Sequence, residues 1–218
     1  MKICVVSPKC SNVSAKALAD ILGADYRRHG DGFNFGQYDA VFNYGSSARH
    51  IYPPKVINST AAVALCVNKI STLKRVANGV EWTQDKARAL KWMEQDDYVV
   101  CRETQTGSRS KGIVIASTLE DFEAAPASFW TRYFGHDHEV RINIFRGKIL
   151  TVYEKVVDET GEFFSFNLME VTGEHHQVDE MIQSITNNIG IDFYGMDVLV
   201  SSEGTARLLE VNSGPSLM

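Results

Sequence analysis

Near its C-terminal end the chain reads LLEVNSGPSLM, in which Glu210 and Asn212 stand one residue apart and the small-residue run Ser213, Gly214, Pro215 and Ser216 follows. In a strand, residues two apart point to the same face, so these two oxygen-bearing side chains share a side. The stretch from Gly195 to Asn212 alternates like a hairpin. A two-residue turn at Glu203-Gly204 pairs Ser202 with Thr205 and sets Asp197 opposite Glu210. Opposed residues have Cβ atoms about 5 Å apart, and like charges placed there destabilise a sheet. Two acids and an amide so arranged suit a hard divalent cation, with water and phosphate oxygens completing its shell. A solvated polar edge satisfies the same pattern. On the opposite face this register gathers Met196, Val198, Val200, Leu209 and Val211 as a core stripe.

A second stretch with chemical potential runs from Glu103 to Lys111 and holds Gly107, Ser108, Arg109, Ser110 and Lys111, just before Gly112. Strand-like runs flank it, Tyr98 to Arg102 before and Gly112 to Ala116 after, so it reads as a hairpin tip. Hydroxyls, cations and the backbone N–H groups of a glycine-rich turn suit a phosphate; an exposed turn has the same composition. The order GxxxxGK[ST] is absent, and no GxGxxG opens a first strand-to-helix turn. A third polar loop, Asn43-Tyr44-Gly45-Ser46-Ser47, follows the strand-like Tyr38 to Phe42, at a place where open α/β sheets bind ligands and where a plain turn reads the same.

The elements that must hold these residues follow from periodicity. Ile3 to Val6 reads as a buried strand, and Ser14 to Leu22 as a helix closed by Gly23. From Ser59-Thr60 a single helix is predicted, with Val63, Cys66, Val67, Ile70, Leu73 and Val76 at helical spacing, Lys69 beside the stripe and Asn78-Gly79 at its end. A second helix is predicted from Thr83 to Asp96. Strands then follow at Phe129 to Phe134, Val140 to Phe145 and Lys148 to Val157, the last two joined by Arg146-Gly147. A helix between Gln177 and Asn188, stopped by Gly190, precedes the C-terminal hairpin.

Composition limits the function classes. The 218 residues are 44% hydrophobic and 22% charged, with a formal net charge of −5. This mild acidity gives no electrostatic reason to expect nucleic acid as a partner. No apolar run approaches the ~20 residues of a membrane span, and Met1-Lys2 leads into a strand-like run rather than a signal peptide. The expectation is a cytoplasmic protein. Cys4, Cys10, Cys66 and Cys101 are scattered without a CxxC pair, which favours reduced thiols over disulfides or zinc. His136 and His138 form an HxH without an evident third ligand.

The stretches above, taken in order, resemble the ATP-grasp superfamily, of the carboxylate–amine ligase type seen in D-alanine–D-alanine ligases and ribosomal-protein glutamate ligases. VINSTAAVALCVNKISTLKRVANGV resembles the helix that sends a lysine to ATP phosphate, here Lys69. YVVCRETQTGSRSKGIVIA resembles the lysine-bearing strand and mobile glycine-rich hairpin, with Arg102 in the lysine's place; Arg is a planar fork and not a compact ammonium. FWTRYFGHDHEVRINIFRGKIL is similar to the adenine hinge, Arg132, Tyr133 and Phe134, followed by the ribose-binding Glu139. GIDFYGMDVLVSSEGTARLLEVNSGPSLM matches the metal signature, with Asp197, Glu210 and Asn212 as magnesium ligands.

The resemblance implies an α/β (α+β) chain with an N-terminal domain over 1–57, a central lid subdomain over 58–128 and a C-terminal antiparallel-sheet subdomain over 129–218. It implies Mg-ATP held by Lys69, Arg102, Ser108, Ser110, Lys111, Gly112, the hinge, Glu139 and Lys155. Arg102, Arg141 and Lys155 would act on ATP phosphate or acyl phosphate. Asn43, Gly45, Ser213, Gly214 and Ser216 would line the pocket for small-molecule or peptide carboxylate and amine substrates. The implied reaction is carboxylate activation as an acyl phosphate and its capture by an amine or thiol, with no side-chain nucleophile. The alternatives are an ATP-grasp kinase acting on a hydroxyl and a non-catalytic nucleotide-binding module. Assembly is left open, a homodimer included.

Overall fold

A computed structural model describes residues 1–9, 12–30, 34–48, 55–95, 98–106, 112–157, 163–169 and 176–216. The first sheet is parallel, with order β2 (Asp25–Arg28), β1 (Ile3–Ser7), β3 (Ala40–Asn43) and β4 (Val56–Ile57). The buried apolar run of β1 makes it an inner strand. Helix α1 (Val13–Leu22) starts where Asn12 accepts the Ala15 N–H and ends at Gly23, whose φ of 58° is left-handed. Ala15 and Ala19 seat it on Val5 and Phe42.

A small antiparallel sheet has the order β5 (Trp82–Thr83), β8 (Phe129–Arg132), β6 (Val99–Arg102) and β7 (Ile113–Ala116). Helices α4 (Lys86–Glu94) and α5 (Leu119–Ala124) supply Ala89, Trp92 and Phe122 to its core with Val99, Cys101 and Trp130. β8 is integral to this sheet, although its residues fall in the segment 129–218 that the sequence assigned to the C-terminal unit.

The large sheet is antiparallel with the order β11 (Phe163–Met169), β10 (Lys148–Val157), β9 (His138–Phe145), β12 (Phe193–Val200) and β13 (Ala206–Asn212). One face carries Ile142, Ile144, Met196, Val198, Leu208 and Val211 against Val178, Met181, Ile182 and Ile185 of α6 (His176–Asn188). Ala62 and Cys66 of α2 (Thr60–Val67) join the same core. Alternation leaves Glu139, Arg141, Asn143, Asp197 and Glu210 on the other face.

Three expectations need correction. The single helix from Ser59 is two helices, because Asn68 is extended (φ −93°, ψ 109°) and its side chain accepts the Ser71 N–H to start α3 (Lys69–Leu73). The helix predicted from Thr83 begins at Lys86, since Asp85 caps it and Thr83 lies in β5. The C-terminal turn has three loop residues, not two. Ser201 N–H bonds Thr205 O (3.0 Å), Gly204 N–H bonds Ser201 O (2.9 Å), and Gly204 takes φ 79°. The pairing therefore becomes Val198 with Leu208, a bulge at Leu209 follows, and Asp197 returns to a position opposite Glu210. Leu208 takes the core place predicted for Leu209, while Leu209 packs with Leu73, Val80 and Leu199. Beyond these corrections, β2, β4, β5, β11 and α5 had no counterpart in the sequence reading.

Candidate functional site

The polar face of the large sheet is ordered in rows across its strands. Arg141, Asp197 and Glu210 form one row on β9, β12 and β13, and Asn143, Gly195 and Asn212 form the next. Asn212 Nδ2 donates to Asp197 Oδ2 (3.2 Å) and to Glu210 Oε1 (3.1 Å), so the three side chains singled out from the sequence meet. Arg141 grips Asp197 with two hydrogen bonds, Nε to Oδ1 (2.7 Å) and Nη2 to Oδ2 (2.6 Å). Glu210 Oε2 accepts from Lys69 Nζ. The break at Asn68 makes Lys69 the first residue of a short helix, and its backbone N–H bonds Gln105 O (2.9 Å).

Burial sets the electrostatics. It pushes the Asp197 carboxyl above its ordinary range, with Arg141 pulling against it and the Glu210 charge adding to the push. Burial acts on Glu210 in the same sense, but Lys69, by charge and hydrogen bond, and the Asn212 amide bring it well below its ordinary value. Among the described residues no cluster of three His, Cys, Asp or Glu side chains exists. A cation here would thus depend on the amide. Rotating the Asn212 amide presents Oδ1, and two carboxylates with an amide oxygen fit a hard dication.

Arg102 reaches the site from β6. It is buried, its Nε donates to Thr131 Oγ1 (3.3 Å) and its guanidinium lies 5.9 Å from the Phe129 ring. Burial depresses its pKa, and the Glu210 charge opposes that. Glu139 and Lys155 form a pair of their own, with Nζ 2.7 and 2.8 Å from the two carboxylate oxygens. At the hinge, Arg132 N–H bonds Glu81 O and Tyr133 N–H bonds Tyr98 O, both at 2.9 Å, while Phe134 O accepts from His136 Nδ1 (2.8 Å). Phe134 packs with Leu73, Val80, Leu199, Trp82 and Leu209 as an apolar patch along the face that carries Asp197. The sequence reading missed Leu199 and Leu209 in this role, because only the bulge brings Leu209 to that side.

The loop after Asn212 packs against the first sheet. Tyr44 Oη donates to Pro215 O, and a Cβ on Gly214 would lie 3.1 Å from Tyr44 Cδ1. Gly45 (φ 85°) faces Gly214, so these two glycines let the loops touch. Asn43 is buried and occupied within its own turn, Nδ2 to Ser46 O (2.8 Å) and Oδ1 from Ser46 N–H (3.0 Å). Ser213 is buried and Ser216 exposed. Two residues here escaped the sequence reading. Asn58, at φ 63° and fully buried, accepts the N–H groups of Asp192 and Phe193 and donates to Phe193 O and Ser213 O. Asn143 donates to Thr151 Oγ1 (3.0 Å) while its buried Oδ1 lacks a hydrogen-bond partner. An Asn inside an apolar strand was the signal for Asn143.

Ser108, Ser110 and Lys111 lie outside the described residues, whereas Gly112 (φ 69°) is described, its carbonyl accepting the Glu103 N–H (2.9 Å). His136 and His138 go to separate partners, Phe134 O and Glu154 Oε1. Cys4, Cys66 and Cys101 are free and buried, and burial pushes the first two thiols up to about 11 and about 12. Among the described residues no helix is long and apolar enough to cross a membrane.

No protein-family model matches the sequence, and none of the curated proteins compared with it matches either. Solved structures do. The ATP-grasp ligase PsnB complexed with a phosphomimetic variant of minimal precursor, Mg and ADP superposes with a TM-score of 0.69 at 14% identity, over 99% of this chain and 91% of that one. The macrocyclase MdnC bound with precursor peptide MdnA from Microcystis aeruginosa MRC gives 0.67 at 12%, over 100% and 93%. The D-alanine–D-alanine ligase from Bacillus anthracis gives 0.69 at 14%, over 100% and 88%. The chain therefore has the ATP-grasp fold. In this chain the polar face of the large sheet brings two facing carboxylates and an amide together with Lys69 and Arg141.

Proposed function

We propose that this chain is an ATP- and magnesium-dependent ligase that joins a carboxylate to an amine through an acyl phosphate. The observation that carries the proposal is the meeting of Asp197, Glu210 and Asn212 with Lys69 and Arg141 in direct contact. A magnesium ion held by Asp197, Glu210 and Asn212 would neutralise β- and γ-phosphate charge. The chain's own groups then have separable tasks. The apolar patch of Leu199, Leu209 and Phe134 receives the adenine, and Glu139 the ribose hydroxyls. Lys69, Arg102, Arg141 and Lys155 offer cations to the phosphates, and burial strengthens each interaction. Ser108, Ser110, Lys111 and Gly112 add hydroxyl, ammonium and backbone N–H donors for phosphate.

The carboxylate oxygen of the substrate attacks the γ-phosphorus and ADP leaves. The amine nitrogen then attacks the acyl carbon, phosphate departs and the nitrogen loses a proton. Catalysis is positioning and charge stabilisation, with no side-chain nucleophile. The loop of Ser213, Gly214 and Ser216 against Tyr44 and Gly45 holds the acceptor. The macrocyclase and the PsnB complex, with their precursor peptides, support a peptide as one substrate, and the D-alanine–D-alanine ligase supports an amino acid.

The test is a screen of pooled amino acids and peptides for ADP release with Mg-ATP, repeated with hydroxylamine. A hydroxamate of the stimulating carboxylate is expected. A stable phosphorylated alcohol without hydroxamate would replace the ligase with a kinase, and ATP binding without either product would leave a binding module.

A further inference from the structure

Each acidic side chain assigned to the nucleotide site is already held by a basic one. Arg141 takes both oxygens of Asp197, Lys69 pairs with Glu210, and Lys155 spans both oxygens of Glu139. These are not solvated surface pairs. The Lys69 side chain is 13% exposed and that of Glu210 25%, so solvent and salt screen them weakly. The oxygens a cation would use are the ones occupied. Lys69 sits on Glu210 Oε2, Arg141 on both oxygens of Asp197, and Asn212 Nδ2 on Asp197 Oδ2 and Glu210 Oε1.

A dication arriving alone must therefore displace Lys69 from Glu210, leaving the ammonium in a half-buried pocket beside a second positive charge. Removing one partner from such a pair is strongly unfavourable. A dication arriving with nucleotide phosphates meets a different situation. The phosphates give Lys69 and Arg141 new anionic partners in the same step, so no buried charge is left unpaired. Resting on the Mg-nucleotide reading of this site, we propose that Lys69 and Arg141 are placeholders for the cation: the site admits divalent cation and nucleotide as one unit and excludes the free cation until phosphate takes over the two basic side chains. The local structure serves this. The helix break at Asn68 aims Lys69 at Glu210, and the Asn68 Nδ2 bond to Gln105 Oε1 (3.0 Å) fixes the break.

Manganese alone is the probe, followed by the loss of its free electron paramagnetic signal on binding. Without nucleotide, Lys69→Met is expected to bind one equivalent at least tenfold more tightly than the wild type. Lys69→Gln, which keeps a polar side chain at the helix start, is expected to gain affinity in the same direction and guards against a variant that fails to fold. Lys74→Met is the charge control. Lys74 is exposed and stacks over the Trp82 ring at 5.4 Å, and its loss should leave manganese binding as in the wild type. Equal affinity in the wild type and both Lys69 variants overturns the proposal, and so does an equal gain in Lys74→Met. A separate arm follows manganese with ADP in the wild type. Tight binding there, with no gain in the Lys69 variants, removes the placeholder role and leaves the nucleotide reading standing. Absence of binding there removes both.

Discussion

Replacing Gly195 by alanine perturbs the floor of the proposed acceptor pocket without touching a charged group. A Cβ at this position would lie 2.8 Å from Pro215 Cβ and 3.0 Å from Asn143 Oδ1. Carbon atoms pack best at about 3.5–4.0 Å, so the proline ring must withdraw by roughly 0.7–1.2 Å. Neither neighbour yields easily. Asn143 is 1% exposed and bonded to Thr151, and the Pro215 carbonyl accepts the Tyr44 hydroxyl. Overpacking of this kind costs about 1–3 kcal/mol, which lowers the melting temperature by roughly 2–12 °C for a chain of this size. A displacement near 1 Å in the acceptor loop should also reduce turnover about 100-fold. Gly135→Ala is the control, because a Cβ there meets nothing within 4 Å. Thermal unfolding and ADP release measured on both variants decide it. If Gly195→Ala melts and turns over like Gly135→Ala, Pro215 is not packed on the sheet as described.

Asn58→Ala removes the acceptor for the buried N–H of Phe193 and the half-buried N–H of Asp192 and puts alanine at φ 63°, so urea titration should show a loss of about 3 kcal/mol; a loss within 0.5 kcal/mol, the usual range for surface changes, would refute the bridging role. Burial that raises the thiols of Cys4 and Cys66 to about 11 and about 12 leaves little thiolate at pH 8. Mass mapping of alkylation should find both, and Cys101, protected in the native protein and modified in urea. If the donors from Ser108 to Gly112 bind phosphate, amide exchange across 103–112 should slow on adding Mg-ATP, and an unchanged rate would remove them from the site.

How the site could be read from sequence depended on kinds of interaction. Strand alternation on β9, β12 and β13 is a local rule, and it separated Arg141, Asp197 and Glu210 from Ile142, Met196 and Val198 without knowledge of the rest of the chain. The pairing of Asp197 with Glu210 came out right through two cancelling displacements. The three-residue turn moves the register by one and the bulge at Leu209 moves it back. No periodic pattern announces a bulge, so the exchange of Leu208 and Leu209 was beyond such reasoning. The break at Asn68 had a visible signal, an Asn within an apolar helix three residues before Ser71, and the regular stripe from Val63 to Val76 outweighed it. Asn58 and the contact of Tyr44 with Pro215 join residues 135 and 171 positions apart in the chain, and nothing local encodes such distant hydrogen bonds.

The central claim is that Asp197, Glu210 and Asn212 form the cation site of a magnesium-nucleotide complex. Calorimetric titration of the wild type and Glu210→Gln with a non-hydrolysable ATP analogue and magnesium tests it most directly. One equivalent should bind the wild type, and the variant, folded by circular dichroism, should bind at least tenfold more weakly, a loss of about 1.4 kcal/mol. Equal affinities, or no magnesium-dependent binding to the wild type, would contradict the assignment.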